Sequence, residues 1–457
     1  MAAPAGSQSR VLIALVAGAA IGSLVNYATQ PGEFIGFNPD GSVQFAAPWI
    51  EKQRVDWFIK FVAKPVGDIF INLLFLAIIP LVFASLALGV TRLGGERVGR
   101  IGLKTIAYFL ITTACAGVIG LTLVNAIRPG DHLSDAQKRD MKAKYGSEKV
   151  EGKAPDFGIQ TFVNIVPKNP LKAFMDKEML AVIFTAILVG VALTRIDPLK
   201  ARPLVDLLEG VNAVTDFIIR TAMMIAPYGV FALIFTTTAE LGVSVLIALG
   251  AFVGTVLGGL AIQLFVVFPI LVKTLGGMNP LVFFEKSKAA MITAFSTSSS
   301  SATLPTAIQT AEENLGVPPR VARFVLPLSA SMNHNGTALF EAVTAIFLCQ
   351  IFGVDLSLEQ ELIVLLLCVL TATGMAGVPG GSLPLIGMVV ASVTTEVPAA
   401  AIGIVFGVDR ILDMTRTMVN VTGDLTTTLY VARSEGIPIV PRQNSEPPPE
   451  HTEAIPD

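Results

Sequence analysis

The chain has few charged residues for its length. Only 15% of its 457 residues are Asp, Glu, Lys or Arg, whereas 53% are hydrophobic, and the mean hydropathy is +0.68. A soluble protein of this length would need a hydrophilic surface that this composition does not supply. The net charge of −3 gives no basic surface for nucleic acid. The composition therefore indicates a membrane protein.

Cysteine and histidine are also scarce. Cys115, Cys349 and Cys368 lie in apolar stretches without metal-ligand spacing, so we expect core residues and no disulfide framework. The sequence has no nucleotide-binding loop, and the serines at 298–301 have no histidine base in their own segment. These absences argue against a membrane enzyme, and no cofactor is expected. An ion channel stays an alternative; steady current without substrate would support it.

Apolar runs of about twenty residues recur along the chain and predict helices that cross the membrane. We expect eight spans, at 11–27, 58–90, 101–127, 178–195, 205–238, 243–273, 320–350 and 398–431. The first is predicted to be a retained span rather than a cleaved signal peptide, because further spans follow it.

Two regions differ from simple spans. Residues 280–312 and 360–395 each contain two apolar halves, the first around a serine-rich centre and the second around a glycine-rich centre. Irregular backbone at membrane depth is tolerated only where protein or a cavity satisfies it. Paired interrupted segments predict two re-entrant hairpins at a transport site, and the repeated order of hairpin then helix suggests an inverted repeat.

Basic residues are concentrated in alternate loops, which predicts the orientation of the chain. By this rule both termini and the first hairpin are cytoplasmic, and the second hairpin opens outward. Residues 128–177 are predicted to be an exterior insertion, and 437–457 a disordered cytoplasmic tail. The basic residues that set this orientation are Arg92, Arg97, Arg100, Lys104, Arg195, Lys200, Arg202, Lys286 and Lys288.

The last span carries a stripe of polar side chains. At about 100° per residue, its members fall within an arc of roughly 80–100° on one helix. Charged groups in a membrane helix are costly unless they face a partner or a water-filled cavity, so the stripe predicts a binding surface for a charged solute. Its members are Asp409, Asp413, Arg416, Thr417, Asn420 and Asp424.

The chemistry of this stripe fits an amino acid with a second carboxylate. Arg416 offers a planar fork of donors for a carboxylate, and Asp413, one turn away, can hold an ammonium group. Thr417 and Asn420 add neutral donors and acceptors on the same face. The alternative is an intrahelical ion pair between Asp413 and Arg416.

Four motifs carry a resemblance to a known family. They are Ser298–Pro305, Asn333–Thr337, Ala376–Gly380 and Asp413–Asp424, in this order along the chain. With them the chain resembles the glutamate transporter family, whose members are cation-coupled symporters of dicarboxylates and of acidic or neutral amino acids. The resemblance runs from about residue 11 to 436 and is strongest from 291 onward.

The resemblance implies an all-α polytopic fold with eight transmembrane helices, two re-entrant hairpins and inverted repeats. It implies a homotrimer in which a scaffold holds a transport domain that slides across the membrane as an elevator. The scaffold would comprise 1–100 and 178–238, and the transport domain 101–127 and 243–436. The expected setting is the bacterial inner membrane, with its lipids as partners and no nucleic acid.

The resemblance also implies the roles of individual residues. Arg416, with Thr337, would bind the side-chain carboxylate, Asp413 and Thr417 the amino group, and Asn420 and Ser300 the α-carboxylate. The second hairpin would act as a lid. The full substrate set is Ser298, Ser299, Ser300, Thr337, Ala376, Val378, Ser382, Asp413, Arg416, Thr417 and Asn420.

For the coupling ion, the resemblance implies a sodium site made by the Asp424 carboxylate with Ser329, Asn333 and Asn420. A second family site uses Thr112, Thr113, Asn333 and an aspartate that is Asn335 here, which puts three-sodium coupling in doubt. Two lid positions, Ala372 and Met375, also lack hydroxyl groups. Proton coupling is the alternative, with His334, Asp409 and Asp424 as candidate carriers.

One arginine departs from the family pattern. The arginine that some members place in the first hairpin is Ser298 here, and we expect Arg410, at the edge of the stripe, to compensate that charge. The sequence as a whole predicts a symporter of glutamate or aspartate, driven by sodium, protons or both. A C4-dicarboxylate:cation symporter is the alternative, although Asp413 would then face a substrate without an amino group.

Overall fold

The computed structural model of the protein describes residues 6–30, 34–37, 43–45, 49–91, 99–145, 166–175, 179–242, 244–375 and 380–439. Several predictions fall partly outside these ranges, among them the exterior insertion at 128–177, of which 146–165 are not described, and Arg92 and Arg97 of the orientation set. The lid residues Ala376 and Val378 are not among the described residues, and neither is 440–457 of the expected tail. Ile437 and Ile439, at the start of that tail, pack against a buried apolar cluster.

Helices account for most of the described residues in the first half of the chain. Two of the longest, α3 and α8, contain proline, and each is longer than the roughly 20 residues that a bilayer requires. The helices are α1 (Gly6–Ala28), α2 (Lys52–Phe58), α3 (Lys64–Thr91), α4 (Gly99–Ile127), α5 (Asp135–Tyr145), α6 (Pro170–Met175), α7 (Met179–Arg195) and α8 (Pro198–Leu241).

The second half of the chain has shorter helices. Single π-helical or 3-10 turns join or extend several of them. The helices are α9 (Ser244–Ile262), α10 (Phe268–Leu271), α11 (Pro280–Thr297), α12 (Ser300–Gln309), α13 (Pro319–Met332), α14 (Asn335–Ile351), α15 (Leu358–Gly374), α16 (Leu383–Ala391), α17 (Gly403–Phe406) and α18 (Asp409–Ser434).

Strands are the exception to the predicted all-α fold. Between α1 and α2, β1 (Phe34–Phe37) pairs with β2 (Val43–Phe45) as a short antiparallel ribbon. Such a short two-stranded ribbon does not change the helical architecture, and its aromatic and β-branched residues suit a strand.

Several helices have the length and composition of membrane spans. Among the described residues, four are long and apolar enough to cross a bilayer, and two shorter apolar helices cover Ile13–Ala28 and Ala181–Arg195. The four are Lys52–Thr91, Ile101–His132, Pro198–Glu240 and Val245–Gly276.

The last two predicted spans are not continuous helices, which corrects the sequence prediction. The span expected at 320–350 breaks at Asn333 and His334 into α13 and α14, and the span expected at 398–431 divides into a 3-10 turn, α17 and α18. The first break is compensated across the fold: the freed Gly336 amide donates to Asn420 Oδ1 at 2.8 Å. Polar side chains on a neighbouring helix thus replace lost helical hydrogen bonds.

The helices pack in two groups. In one, α8 packs along α1 and α3, and α7 packs on α3. In the other, α14 packs on α4, α9 and α15, while α18 packs on α11, α13 and α14. The prediction of buried cysteines is confirmed for Cys349 and Cys368 but is wrong for Cys115, which lies on an exposed face of α4.

Candidate functional site

The polar stripe lies on one helix, α18, and is buried. None of its six predicted members is more than 6% exposed. With Arg410, α18 buries five charged groups, and a helix that does so among apolar neighbours must pair or hydrogen-bond them. The neighbours of these side chains therefore define what the site can do.

Arg416 is the centre of an ion-pair cluster. Its Nε and Nη2 donate to Asp413 Oδ1 at 3.0 and 2.7 Å, and its Nη1 donates to Asp409 Oδ1 at 3.3 Å. Arg410 adds a longer contact, 3.5 Å from Nη1 to Asp413 Oδ2. The intrahelical pair considered from the sequence is therefore present. Two arginines and two aspartates balance one another in charge, and the bond to Asp409 is the longest of the three that Arg416 makes.

The start of α14 packs directly against this cluster. A Cβ at Gly336 would lie 2.8 Å from the Arg416 carbonyl oxygen, so only glycine permits this approach of the two helices. One turn later, the ring of Phe340 lies 4.6 Å below the Arg416 guanidinium, a cation–π contact. Asn420 Nδ2 donates to Thr337 Oγ1 at 3.1 Å. The structure thus brings Asn420 and Thr337 into direct contact beside Arg416.

Asp424 lies one turn beyond Asn420 and meets the α13–α14 break. Asn333 Nδ2 donates to Asp424 Oδ1 at 2.9 Å, while Asn333 Oδ1 is buried without a hydrogen-bond partner among the described residues. The Ser329 hydroxyl donates to Val325 O of its own helix, and the Ser329 carbonyl oxygen accepts from the Asn333 amide at 2.8 Å. Carboxylate, amide and backbone oxygens are what a hard cation such as sodium needs.

The residues that would form the second sodium site implied by the resemblance are neutral. Thr113 Oγ1 donates to Asn335 Oδ1 at 2.8 Å, and Asn335 Nδ2 is a buried donor without a partner among the described residues. The Thr112 hydroxyl donates to Tyr108 O of its own helix. Asn335 supplies no formal negative charge to a cation at this position, where an aspartate would.

His334 lies at the N-cap of α14 and is 1% exposed. Its Nδ1 is 2.8 Å from the carbonyl oxygen of Ala372, so Nδ1 carries the hydrogen. Its Nε2 is then a buried acceptor with no partner among the described residues. His334 thereby connects the helix break to α15, the first half of the second hairpin region.

The first hairpin region consists of α11 and α12, which meet at the serine-rich stretch. Ser298 adopts a left-handed conformation (φ 50°), and the Ser299 hydroxyl caps α12 by accepting from the Ala302 amide at 3.2 Å. Ser298, Ser299 and Ser300 are all buried. Both helices pack against α18, so the serines lie in the same half of the fold as the ion-pair cluster.

The second hairpin region consists of α15 and α16. Ser382 precedes α16, is fully buried, and its hydroxyl has no partner within the described part of the chain. Gly380, at φ +74°, approaches Met223 of α8. The Ser85 hydroxyl of α3 donates to the carbonyl oxygen of Gly374 at the end of α15. This region therefore contacts the other helix group.

Sequence reasoning missed Glu341. It is fully buried in α14, accepts a hydrogen bond from the Thr371 hydroxyl of α15 at 2.7 Å, and its second oxygen has no partner among the described residues. Arg416 lies within electrostatic reach of it. The signal was available: Glu341 is the one charged residue in the apolar sequence 335–351. Within the described residues, no cluster of three or more His, Cys, Asp or Glu side chains could hold a metal ion.

Proteins of known activity are similar to this chain over most of its length. The proton/sodium-glutamate symport protein of Bacillus subtilis is 35% identical over 377 residues, which cover 82% of this chain and 86% of the relative. The proton/glutamate-aspartate symporter of Escherichia coli is 35% identical, with 83% and 87% covered. A C4-dicarboxylate transport protein of Rhodospirillum rubrum is 32% identical, with 82% and 83% covered.

A family model agrees with these relatives and with the resemblance found in the motifs. The model of the sodium:dicarboxylate symporter family matches residues 8–434. Its members are transporters and not enzymes. By this match and by the relatives, the chain belongs to the sodium:dicarboxylate symporter family.

Proposed function

We propose that the protein is a secondary active symporter that moves glutamate or aspartate across the membrane with sodium ions, protons or both. The observation that carries this proposal is the buried Arg416–Asp413 pair beside Thr337 and Asn420. It offers one cationic and one anionic group to a substrate that has carboxylates and an ammonium group. The glutamate and aspartate symporters among its relatives support the same substrate class.

Substrate would enter by replacing contacts within the cluster. The side-chain carboxylate of the substrate takes the place of Asp409 at Arg416 Nη1, where the present bond is 3.3 Å long. Asp413 and Thr417 then receive the ammonium group, and Asn420 and the hairpin serines receive the α-carboxylate. Arg410 keeps a positive charge beside Asp413 while Arg416 turns to the substrate.

The coupling ions would bind beside the amino acid site rather than within it. Sodium fits the oxygens around Asp424 and Asn333, whose Oδ1 is unpartnered among the described residues. For protons, Glu341 joins His334, Asp409 and Asp424 as a candidate carrier. A buried carboxylate with an unpartnered oxygen is stable only when it is protonated or has a cation beside it.

The transport mechanism we propose is an elevator in a homotrimer of the bacterial inner membrane, with both termini cytoplasmic. Helices α1, α3, α7 and α8 form the scaffold, and α4 and α9–α18, with both hairpins, form the part that moves. The two packing groups support this division. The full architecture would comprise eight spans and two hairpins, with α13–α14 and α17–α18 as broken spans.

A C4-dicarboxylate substrate is the second candidate, because a C4-dicarboxylate transport protein is among the relatives. The two candidates differ at Asp413. A substrate without an ammonium group would leave this buried carboxylate dependent on the two arginines alone.

Uptake by purified protein in proteoliposomes tests the proposal. We expect radiolabelled aspartate and glutamate, but not succinate, to accumulate under an inward sodium or proton gradient applied separately. In Asp413→Asn, amino acid uptake should be lost, because the ammonium loses its partner. Accumulation of succinate by the unaltered protein, with no amino acid uptake, would establish the second candidate instead. No accumulation of either class would overturn both.

A further inference from the structure

Both tryptophans of the chain lie at the N-terminal end of the long α2–α3 helix. Trp49 is 87% exposed and Trp57 is 59% exposed. The helix from Lys52 to Thr91 has 40 residues, which at 1.5 Å per residue is about 60 Å, against a hydrocarbon thickness of about 30 Å. One end of it must therefore reach the headgroup region or beyond.

This end of the helix has two distinct faces. Ile59 and Ala63 are buried and pack with Phe235 of α8, and the Phe58 ring meets the Phe235 ring edge-on at 5.7 Å. These contacts fix the orientation of the helix, because they hold one face of it against the rest of the protein.

The opposite face presents aromatic and basic side chains. Trp57, Lys60, Phe61 and Lys64 are all exposed, and they lie in or beside the π-helical turn Ile59–Ala63. The Trp57 and Phe61 rings lie 5.6 Å apart, and Lys60 Nζ lies 5.4 Å from the Phe61 ring centroid. We call these four residues the Trp57 face.

The charge of this segment is positive. Residues 51–64 contain four basic and two acidic residues, a net charge of +2. Glu51 is already paired with Arg54 at 2.9 Å. Within the described part of the chain neither Lys60 nor Lys64 forms an ion pair, although Asp56 and Asp68 lie four residues from them. Aromatic rings beside lysines at the end of a membrane helix are suited to the interface, where the rings lie at headgroup level and lysines attract anionic lipid.

We propose that the Trp57 face binds the headgroup of an anionic phospholipid, with Lys60 and Lys64 at the phosphate and Trp57 and Phe61 at the boundary with the acyl chains. A zwitterionic lipid brings its own cation to this site, so it competes poorly for the two lysines. The proposal depends on membrane insertion but not on the identity of the transported solute.

Tryptophan fluorescence gives a direct test, because the chain has only two tryptophans. In the Trp49→Phe protein, Trp57 is the only one left. We would reconstitute this protein in phosphatidylcholine vesicles and titrate in phosphatidylglycerol brominated on its acyl chains, or brominated phosphatidylcholine in parallel. Bromine quenches indole emission at contact, so the two titrations give the relative affinity of the two lipids.

We expect brominated phosphatidylglycerol to bind about thirtyfold better than phosphatidylcholine, from two lysines near the surface, and the preference to fall as salt rises. Lys60→Gln/Lys64→Gln should remove the preference but keep quenching by phosphatidylcholine, which shows that the face still meets lipid. Lys200→Gln/Lys273→Gln removes two exposed lysines elsewhere and should keep the preference.

Three results would overturn the proposal. If both lipids quenched Trp57 equally in the Trp49→Phe protein, with Lys60 and Lys64 present, the Trp57 face would make only a general contact with lipid. An unchanged preference in Lys60→Gln/Lys64→Gln would place the anionic lipid elsewhere. Absence of quenching by either lipid would show that another protein surface, such as a second copy of the chain, covers Trp57.

Discussion

Buried polar groups behave differently in the two helix groups. In α8, buried hydroxyls bond mainly within their own helix: Thr215 donates to Asn212 O at 2.9 Å, and Thr237 to Leu233 O at 2.8 Å. Around α14 and α18, the buried threonines also bond their own helix, but several buried amides and carboxylates bond across helices, as Asn333 does to Asp424 and Glu341 does to Thr371.

This difference distinguishes buried polar groups that only stabilise a helix from buried polar groups that can also bind a ligand. A hydroxyl that returns to its own helix is satisfied wherever that helix moves. A carboxylate or amide that depends on another helix is satisfied only in one packing arrangement, so it can exchange its partner for a ligand. The unpartnered atoms of Asn333, His334 and Glu341 lie in this second region. Substitutions should therefore cost function in the second region and little in the first.

The largest effect should come from Arg416→Ala. Truncating one partner of a buried, hydrogen-bonded charge pair costs about 2–5 kcal/mol, so uptake affinity should fall between about thirtyfold and several thousandfold. The measurement is the concentration dependence of aspartate uptake in proteoliposomes. Arg323→Ala is the control, because this exposed arginine pairs with Glu312 at the surface. Comparable losses in both variants would contradict the assignment.

Glu341→Gln should abolish accumulation driven by a proton gradient, because glutamine keeps an acceptor for the Thr371 hydroxyl but cannot carry a proton. Uptake driven by sodium should persist. The control is Glu361→Gln in α15, where Asn125 Nδ2 bonds both carboxylate oxygens at 2.9 and 3.0 Å. Full proton-driven accumulation by Glu341→Gln would remove this residue from the set of carriers.

The stability of the two regions can be compared with a matched pair, Thr371→Val and Thr237→Val. Thr371 is the donor to buried Glu341, so its loss should lower the free energy of unfolding by about 1–3 kcal/mol. Thr237 bonds only its own helix, and its loss should cost less than about 0.5 kcal/mol. Thermal unfolding in detergent measures both, and equal shifts would show that the distinction between the regions has no energetic basis.

Arg410→Ala should have the smallest functional effect. Its one hydrogen bond is 3.5 Å long, so we expect about a fivefold loss of substrate affinity, equivalent to about 1 kcal/mol. Arg410→Lys should retain most of the affinity. An unchanged affinity and an unchanged exchange rate in Arg410→Ala would remove its proposed role in charge compensation.

Much of the architecture could be predicted from local patterns. Apolar runs located the long helices, and interruptions at 280–312 and 360–395 correspond to the helix pairs α11–α12 and α15–α16. The α18 stripe also followed from helical periodicity alone. The breaks at Asn333 and before Asp409 were not predicted, because an unwound turn within an apolar run is stable only when another helix satisfies its backbone.

The sequence by itself determined that this is a helical membrane protein with a charged stripe on its last long helix, since composition and period are local properties. The tertiary structure decided the partners. It placed Glu341 beside Thr371, brought Gly336 against Arg416, and set His334 on Ala372. These contacts depend on how helices far apart in sequence pack, and that packing is fixed by the fit of many side chains at once.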